Sequence, residues 1–119
     1  MNDDGTLLEF AKALLSTREG RDRFCGVLLK ILAGECENPV RIALRRLLPY
    51  KQYLRLNYWK RISSKAKERA GFRCQLCNST SELETHHRTY DRRGCEETSD
   101  LTVLCSTCHG KFHEEAVSQ

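Results

Sequence analysis

A chain of 119 residues with a net charge of +4 is long enough for one domain, or for one small domain with an extension. No run approaches the roughly 18 consecutive apolar residues of a membrane span, and the polar Met1-Asn2-Asp3-Asp4-Gly5 start has no apolar secretory segment, so a cytoplasmic location and no membrane partner are expected. In that reducing setting the seven cysteines point to metal rather than to disulfides.

Thr6 to Ser16 places apolar residues at 7, 8, 10, 11, 14 and 15, a helical stripe, and Thr6 with Glu9 predicts a capping box. Arg21 to Ala33 repeats the helical spacing at Phe24, Val27, Leu28, Ile31 and Leu32, and Gly34 suits a C-cap. Cys25 is expected to be buried in this helix, a free thiol like Cys36 and Cys95. Asn38-Pro39 predicts an N-cap with proline in the first turn of a third helix, which Pro49 stops after Leu48. Residues 1–49 thus form an N-terminal helical region, a candidate docking surface for a larger protein assembly, and residues 50–119 a second region.

From Tyr50 to Arg61, tyrosines and Trp59 alternate with bases. Such interleaving suits nucleic-acid stacking, but the favoured expectation is that Tyr53, Leu54, Leu56 and Trp59 anchor the segment on the cysteine-rich region after Gly71. A basic helix from Trp59 to Ala70 is expected to end at Gly71. Between Pro39 and Arg73 eleven Lys or Arg stand against Glu68 alone, a net +10 flanked by blocks of −2 and −4. A basic block of this kind is the footprint of a nucleic-acid contact, or else a solvated helix face.

The chemistry is concentrated in residues 74–113. Cys74-x-x-Cys77 and Cys105-x-x-Cys108 supply four thiolates, enough to close a tetrahedral zinc site, and 27 residues lie between the pairs. Large apolar residues are sparse after Gly71, so a metal staple is expected for this region. Leu83 to Arg88 and Asp100 to Leu104 read as strands around a polar, turn-rich loop, and Ser106 to Ala116 as a helix. All four histidines of the chain fall between His86 and His113. His109 and His113 are four apart on one helix face. His86 and His87, adjacent on a strand, point to opposite sides and need different jobs. One can join the helix pair on an ion while the other takes a proton from water, the division that metal-assisted hydrolysis requires.

Taken together, Cys74-x-x-Cys77, Leu83-Glu84-Thr85-His86-His87-Arg88, Gly94, Asp100-Leu101, Leu104-Cys105-x-x-Cys108-His109 and His113 resemble the HNH endonucleases, whose unit is a ββα-metal fold. The resemblance runs from about Tyr53 to Glu115. It implies a small α+β protein, in which an N-terminal helical region precedes a ββα-metal unit stapled by a four-cysteine zinc. It implies His87 as general base, with His86, His109 and His113 on a catalytic divalent ion such as Mg²⁺, Mn²⁺, Ni²⁺ or Zn²⁺. The family's middle asparagine falls on Asp100, where a carboxylate accepts the same backbone hydrogen bonds but has no amide proton to donate. The partner implied is DNA, double-stranded and held by its backbone. The candidate phosphate contacts are Lys60, Arg61, Lys65, Lys67, Arg69 and Arg73, with Arg88, Arg92 and Arg93 in the loop. The alternative is a non-catalytic, zinc-stapled module that binds nucleic acid or protein and makes no use of the histidines.

Overall fold

The computed structural model describes the backbone of residues 3–32 and 38–117 and the side chains of residues 3–30 and 38–111. These form six α-helices and one two-stranded antiparallel sheet, a small α+β architecture. In order they are α1 (Asp4–Leu15), α2 (Arg18–Leu32), α3 (Pro39–Leu47), α4 (Tyr50–Tyr53), α5 (Asn57–Arg69), β1 (Leu83–His87), β2 (Leu101–Cys105) and α6 (Ser106–Val117), with a 3-10 turn at Thr98–Asp100 before β2. Cys36 and Gly34 lie outside the described residues. The chain divides into two compact units, Met1–Lys60 with Arg93–Cys95, and Arg61–Arg92 with Glu96–Gln119.

The first unit packs α1, α2 and α3 together around buried Leu7, Ile42, Ala43 and Leu44. Phe24, Val27, Leu28 and Cys95 pack against Ile42 and Ala43. Burial of such side chains is worth about 1.5–3 kcal/mol each, which is what holds short helices of this length in place. The predicted capping box at Thr6 does not form, because α1 begins a turn earlier: the Leu7 N–H donates to the Asp3 carbonyl at 2.9 Å. The Asp3 carboxylate goes elsewhere, accepting from the backbone N–H groups of Asn57 at 2.7 Å and Tyr58 at 2.9 Å. It thereby satisfies two of the orphan donors at the start of α5, and its negative charge suits that end of a helix. Asn38 precedes Pro39 as expected, but in the left-handed region at φ 50° and with no side-chain cap bond. Cys25 is exposed, not buried. It falls off the stripe formed by Phe24, Val27 and Leu28, and that periodicity outweighs the general tendency of cysteine to be buried.

Pro49 interrupts the helix and α4 follows at once. Tyr53 is fully buried there, its ring 5.9 Å from Trp59 and 6.3 Å from Tyr58. Leu56 and Trp59 are buried with it. Tyr53, Tyr58 and Trp59 meet one another within the first unit. Gly94 completes this unit at φ 91°. It donates its N–H to the Tyr53 hydroxyl at 3.3 Å and accepts from Arg45 at 3.1 Å. A Cβ here would meet Arg45 Cβ at 3.0 Å, so the backbone approach requires glycine.

In the second unit, α5 ends in a left-handed Gly71 at φ 68°, with Gly71 N–H on the Glu68 carbonyl and Phe72 N–H on the Lys67 carbonyl. The chain then turns tightly through Cys74 to Asn78 and enters the hairpin. β1 and β2 pair in the register Leu83 with Cys105, Thr85 with Val103 and His87 with Leu101. The turn docks on β2 through Gln75, whose N–H donates to the Val103 carbonyl and whose side-chain oxygen accepts from the Val103 N–H. Buried Cys74, Leu104 and Cys105, with Leu83 and Cys108 against them, form the small core at this end.

Candidate metal centre and histidine site

Two elements deliver the four cysteines. The turn after α5 carries Cys74 and Cys77, and the junction of β2 with α6 carries Cys105 and Cys108. The hydrogen bonds between Gln75 and Val103 dock the turn on β2 and so bring the two pairs together. All four sulfur atoms lie within 4.8 Å of one another, with Cys77 and Cys105 3.6 Å apart. A tetrahedron with metal–sulfur bonds of about 2.3 Å has edges of about 3.8 Å, so this group is shaped to hold an ion such as zinc. Backbone N–H groups of Leu76 and Cys77 point at the Cys74 sulfur, at 3.4 and 3.5 Å, and that of Cys108 at the Cys105 sulfur, at 3.4 Å.

The thiols respond to this crowding in opposite directions. Burial works to raise the Cys74 pKa, but the N–H groups of Cys77, Cys105 and Leu76 together overcome it and bring the thiol down to about 6. Hydrogen bonding to Cys105 and then Cys77, with burial, pushes Cys108 up to about 12. Four thiols this close cannot all ionise without a cation, and a divalent metal held among them would supply that charge.

The histidines occupy the other end of β1. Strand alternation sends the two adjacent rings to different neighbours, as their spacing predicts. His86 Nδ1 lies 3.3 Å from Nε2 of His109 on α6, the rings edge to face. His109 Nδ1 in turn lies 2.5 Å from a Glu84 carboxylate oxygen. His87 is buried, its Nε2 2.8 Å from Glu96, and both side chains are 0% exposed. Tyr90, itself exposed, stacks on the His87 ring with centroids 4.9 Å apart. His113 lies on α6, but its side chain is outside the described residues.

Asp100 is buried between β2 and the loop. Arg92 binds it through two nitrogens, Nε donating to Oδ2 at 2.8 Å and the terminal nitrogen to Oδ1. Its Oδ2 also accepts the Glu97 N–H at 2.9 Å, and its carbonyl accepts the Arg88 N–H at 2.7 Å, one residue beyond His87. The Arg92 hydrogen bond is the main cause of an Asp100 carboxyl held below its usual range, with burial opposing it.

The basic candidates separate by environment. Lys60, Arg61, Lys65, Arg69 and Arg73 are exposed and Lys67 is half-buried. Lys65 and Arg69 line a cleft of about 330 Å³ that also includes Ile62, Glu96, Glu97 and Leu101. Arg88 donates to Thr102 Oγ1 at 2.5 Å and lines a second cleft of about 220 Å³ with His86 and Leu76. Arg92 is committed to Asp100. Arg93 donates to the Leu48 carbonyl and lies over the Tyr53 ring at 4.7 Å, inside the first unit.

Two residues at the site escape a reading of the sequence alone. Glu84 is two residues before His86 and so shares its side of β1, a signal that strand alternation does contain. Glu96 sits in an irregular loop, where no periodicity assigns a partner. No family model, curated protein or solved structure matches this chain.

Proposed function

We propose that this protein is a metal-dependent endonuclease of the HNH type that hydrolyses DNA phosphodiester bonds with little base specificity. The observation that carries the reading is the separation of His86 and His87: one ring meets His109 at 3.3 Å, and the other is held by Glu96 at 2.8 Å. Two imidazole nitrogens that share one ion at about 2.1 Å lie about 3.0–3.4 Å apart, so the first pair has the spacing of two ligands. His113, one turn further along α6, is the third candidate ligand. A divalent ion bound there supplies charge for the scissile phosphate and the leaving oxygen.

His87 is the general base. With Nε2 turned to Glu96, Nδ1 is the nitrogen that takes the proton from water. Tyr90 stacks on one face of the buried ring. Asp100 fixes the chain just after the base through the Arg88 N–H. Lys60, Arg61, Lys65, Lys67, Arg69, Arg73 and Arg88 contact phosphates. The N-terminal helices are the surface for any larger assembly.

Plasmid nicking across a panel of Mg²⁺, Mn²⁺, Ni²⁺ and Zn²⁺ tests this. Wild type nicks with at least one ion, and His87→Ala loses about 10²–10⁴-fold while keeping its zinc and its helical circular dichroism. Equal cutting by both, or none by either, rejects the reading. The alternative of a zinc-stapled binding module is favoured by one observation, the complete burial of His87. It predicts DNA or protein binding with no cutting under any ion.

A further inference from the structure

We infer that Glu96 is the positioning residue of the hydrolytic site: its carboxylate fixes the tautomer and the angle of the His87 ring. The inference rests on the endonuclease reading above and adds a residue that the sequence motifs do not contain. Its basis is geometric. His87 Nε2 and the Glu96 carboxylate are 2.8 Å apart, and neither side chain has any solvent exposure. A carboxylate can only accept, so the ring donates the proton on Nε2. The lone pair is then on Nδ1, the nitrogen that a water-activating base has to present. Tyr90 stacked at 4.9 Å restrains the ring against rotation about the Glu96 bond. Strand β1 sets the position of His87, and Glu96 sets which nitrogen acts.

Glu96 also lines the open cleft that Lys65 and Arg69 border, so its loop is continuous with a basic surface able to track a phosphate backbone. The carboxylate itself is turned inward to His87 and touches no substrate. Removing it lowers turnover and leaves DNA affinity alone.

The test combines nicking kinetics with ¹⁵N NMR of the imidazoles in the full-length, zinc-loaded protein. In wild type, His87 shows the Nε2-protonated tautomer. Glu96→Ala lowers kcat by about 10–100-fold with KM for plasmid unchanged, and His87 becomes a mixture of tautomers. Glu96→Gln, which keeps an accepting oxygen, recovers part of both. If Glu96→Ala fails to fold, Glu96→Leu, which fills the space and has no acceptor, decides alone: a lowered kcat and a mixed tautomer at full zinc content support the inference. Wild-type kcat and tautomer in that variant, or a change in KM only, overturn it while the endonuclease reading stands on His87→Ala. A wild-type protein that cuts with no ion overturns both.

Discussion

Arg92 holds Asp100 through two nitrogens while 45% of the arginine side chain remains exposed and only 2% of the aspartate does. The burial is one-sided: water keeps access to the cation, and the protein alone solvates the anion. The Asp100 carboxyl is held below its ordinary value chiefly by the Arg92 hydrogen bond. A folded pKa below the unfolded one stabilises the fold above about pH 4, and the contribution is lost as pH falls through the folded value. Urea unfolding of wild type and Asp100→Asn between pH 2 and 6 checks this. The acid-side loss of stability is flatter in the variant, and parallel curves would show that the pair contributes nothing. Arg92→Ala strands a buried carboxylate, so it lowers the urea midpoint at pH 7 and narrows its gap to wild type at pH 2.

Metal analysis of purified protein is expected to give about one tightly held zinc per chain. Chelation removes it and collapses hydrogen-exchange protection in β1 and β2, because Cys74 and Cys105 belong to the same small core that the metal closes. Cys77→Ser lowers zinc content, whereas Cys25→Ser on the exposed face of α2 leaves it unchanged. Full protection after complete chelation would show that the cysteines pack without a metal.

On the proposed nuclease reading, charge reversal at Lys60 and Arg61, both exposed, is expected to weaken DNA binding uniformly across sequences. Each lost phosphate contact makes the slope of log K against log salt shallower by about 1. Fluorescence anisotropy at several salt concentrations, on two unrelated duplexes, measures both effects. A loss confined to one duplex would make these residues base readers.

Asp3→Ala removes the carboxylate that accepts from Asn57 and Tyr58 at the start of α5. Loss of a capping carboxylate costs about 1 kcal/mol. The variant unfolds at lower urea with an unchanged m-value, and an unchanged midpoint would mean that water caps this helix equally well.

Much of the site is legible in the sequence because it rests on short-range periodicities. Cys-x-x-Cys places two sulfurs in one turn whatever surrounds it, and the pairs Cys74–Cys77 and Cys105–Cys108 lie together in the fold. Adjacent histidines on a strand diverge by geometry alone, and His86 and His87 do. The partners of those residues are not legible. Glu96 reaches His87 from a loop whose path depends on the 3-10 turn at Thr98–Asp100 and on Arg92, neither of which leaves a repeat in the sequence. Tyr53 illustrates the other limit. Its apolar stripe announces burial but not against what, and the glycine approach at Gly94 with the Arg93 stacking decides that it packs in the first unit. Cys25 is misplaced wherever residue type is allowed to outweigh helical phase.

His86 and His87 are the same amino acid, so nothing in their side chains distinguishes them. Only the phase of β1 against β2 does. With His87 opposite Leu101 and His86 opposite Thr102, an insertion of a single residue between Leu83 and His86 would turn each ring to the opposite face of the strand. The hairpin is in this sense a reading frame, and a frameshift within it would dismantle the arrangement while leaving both histidines present.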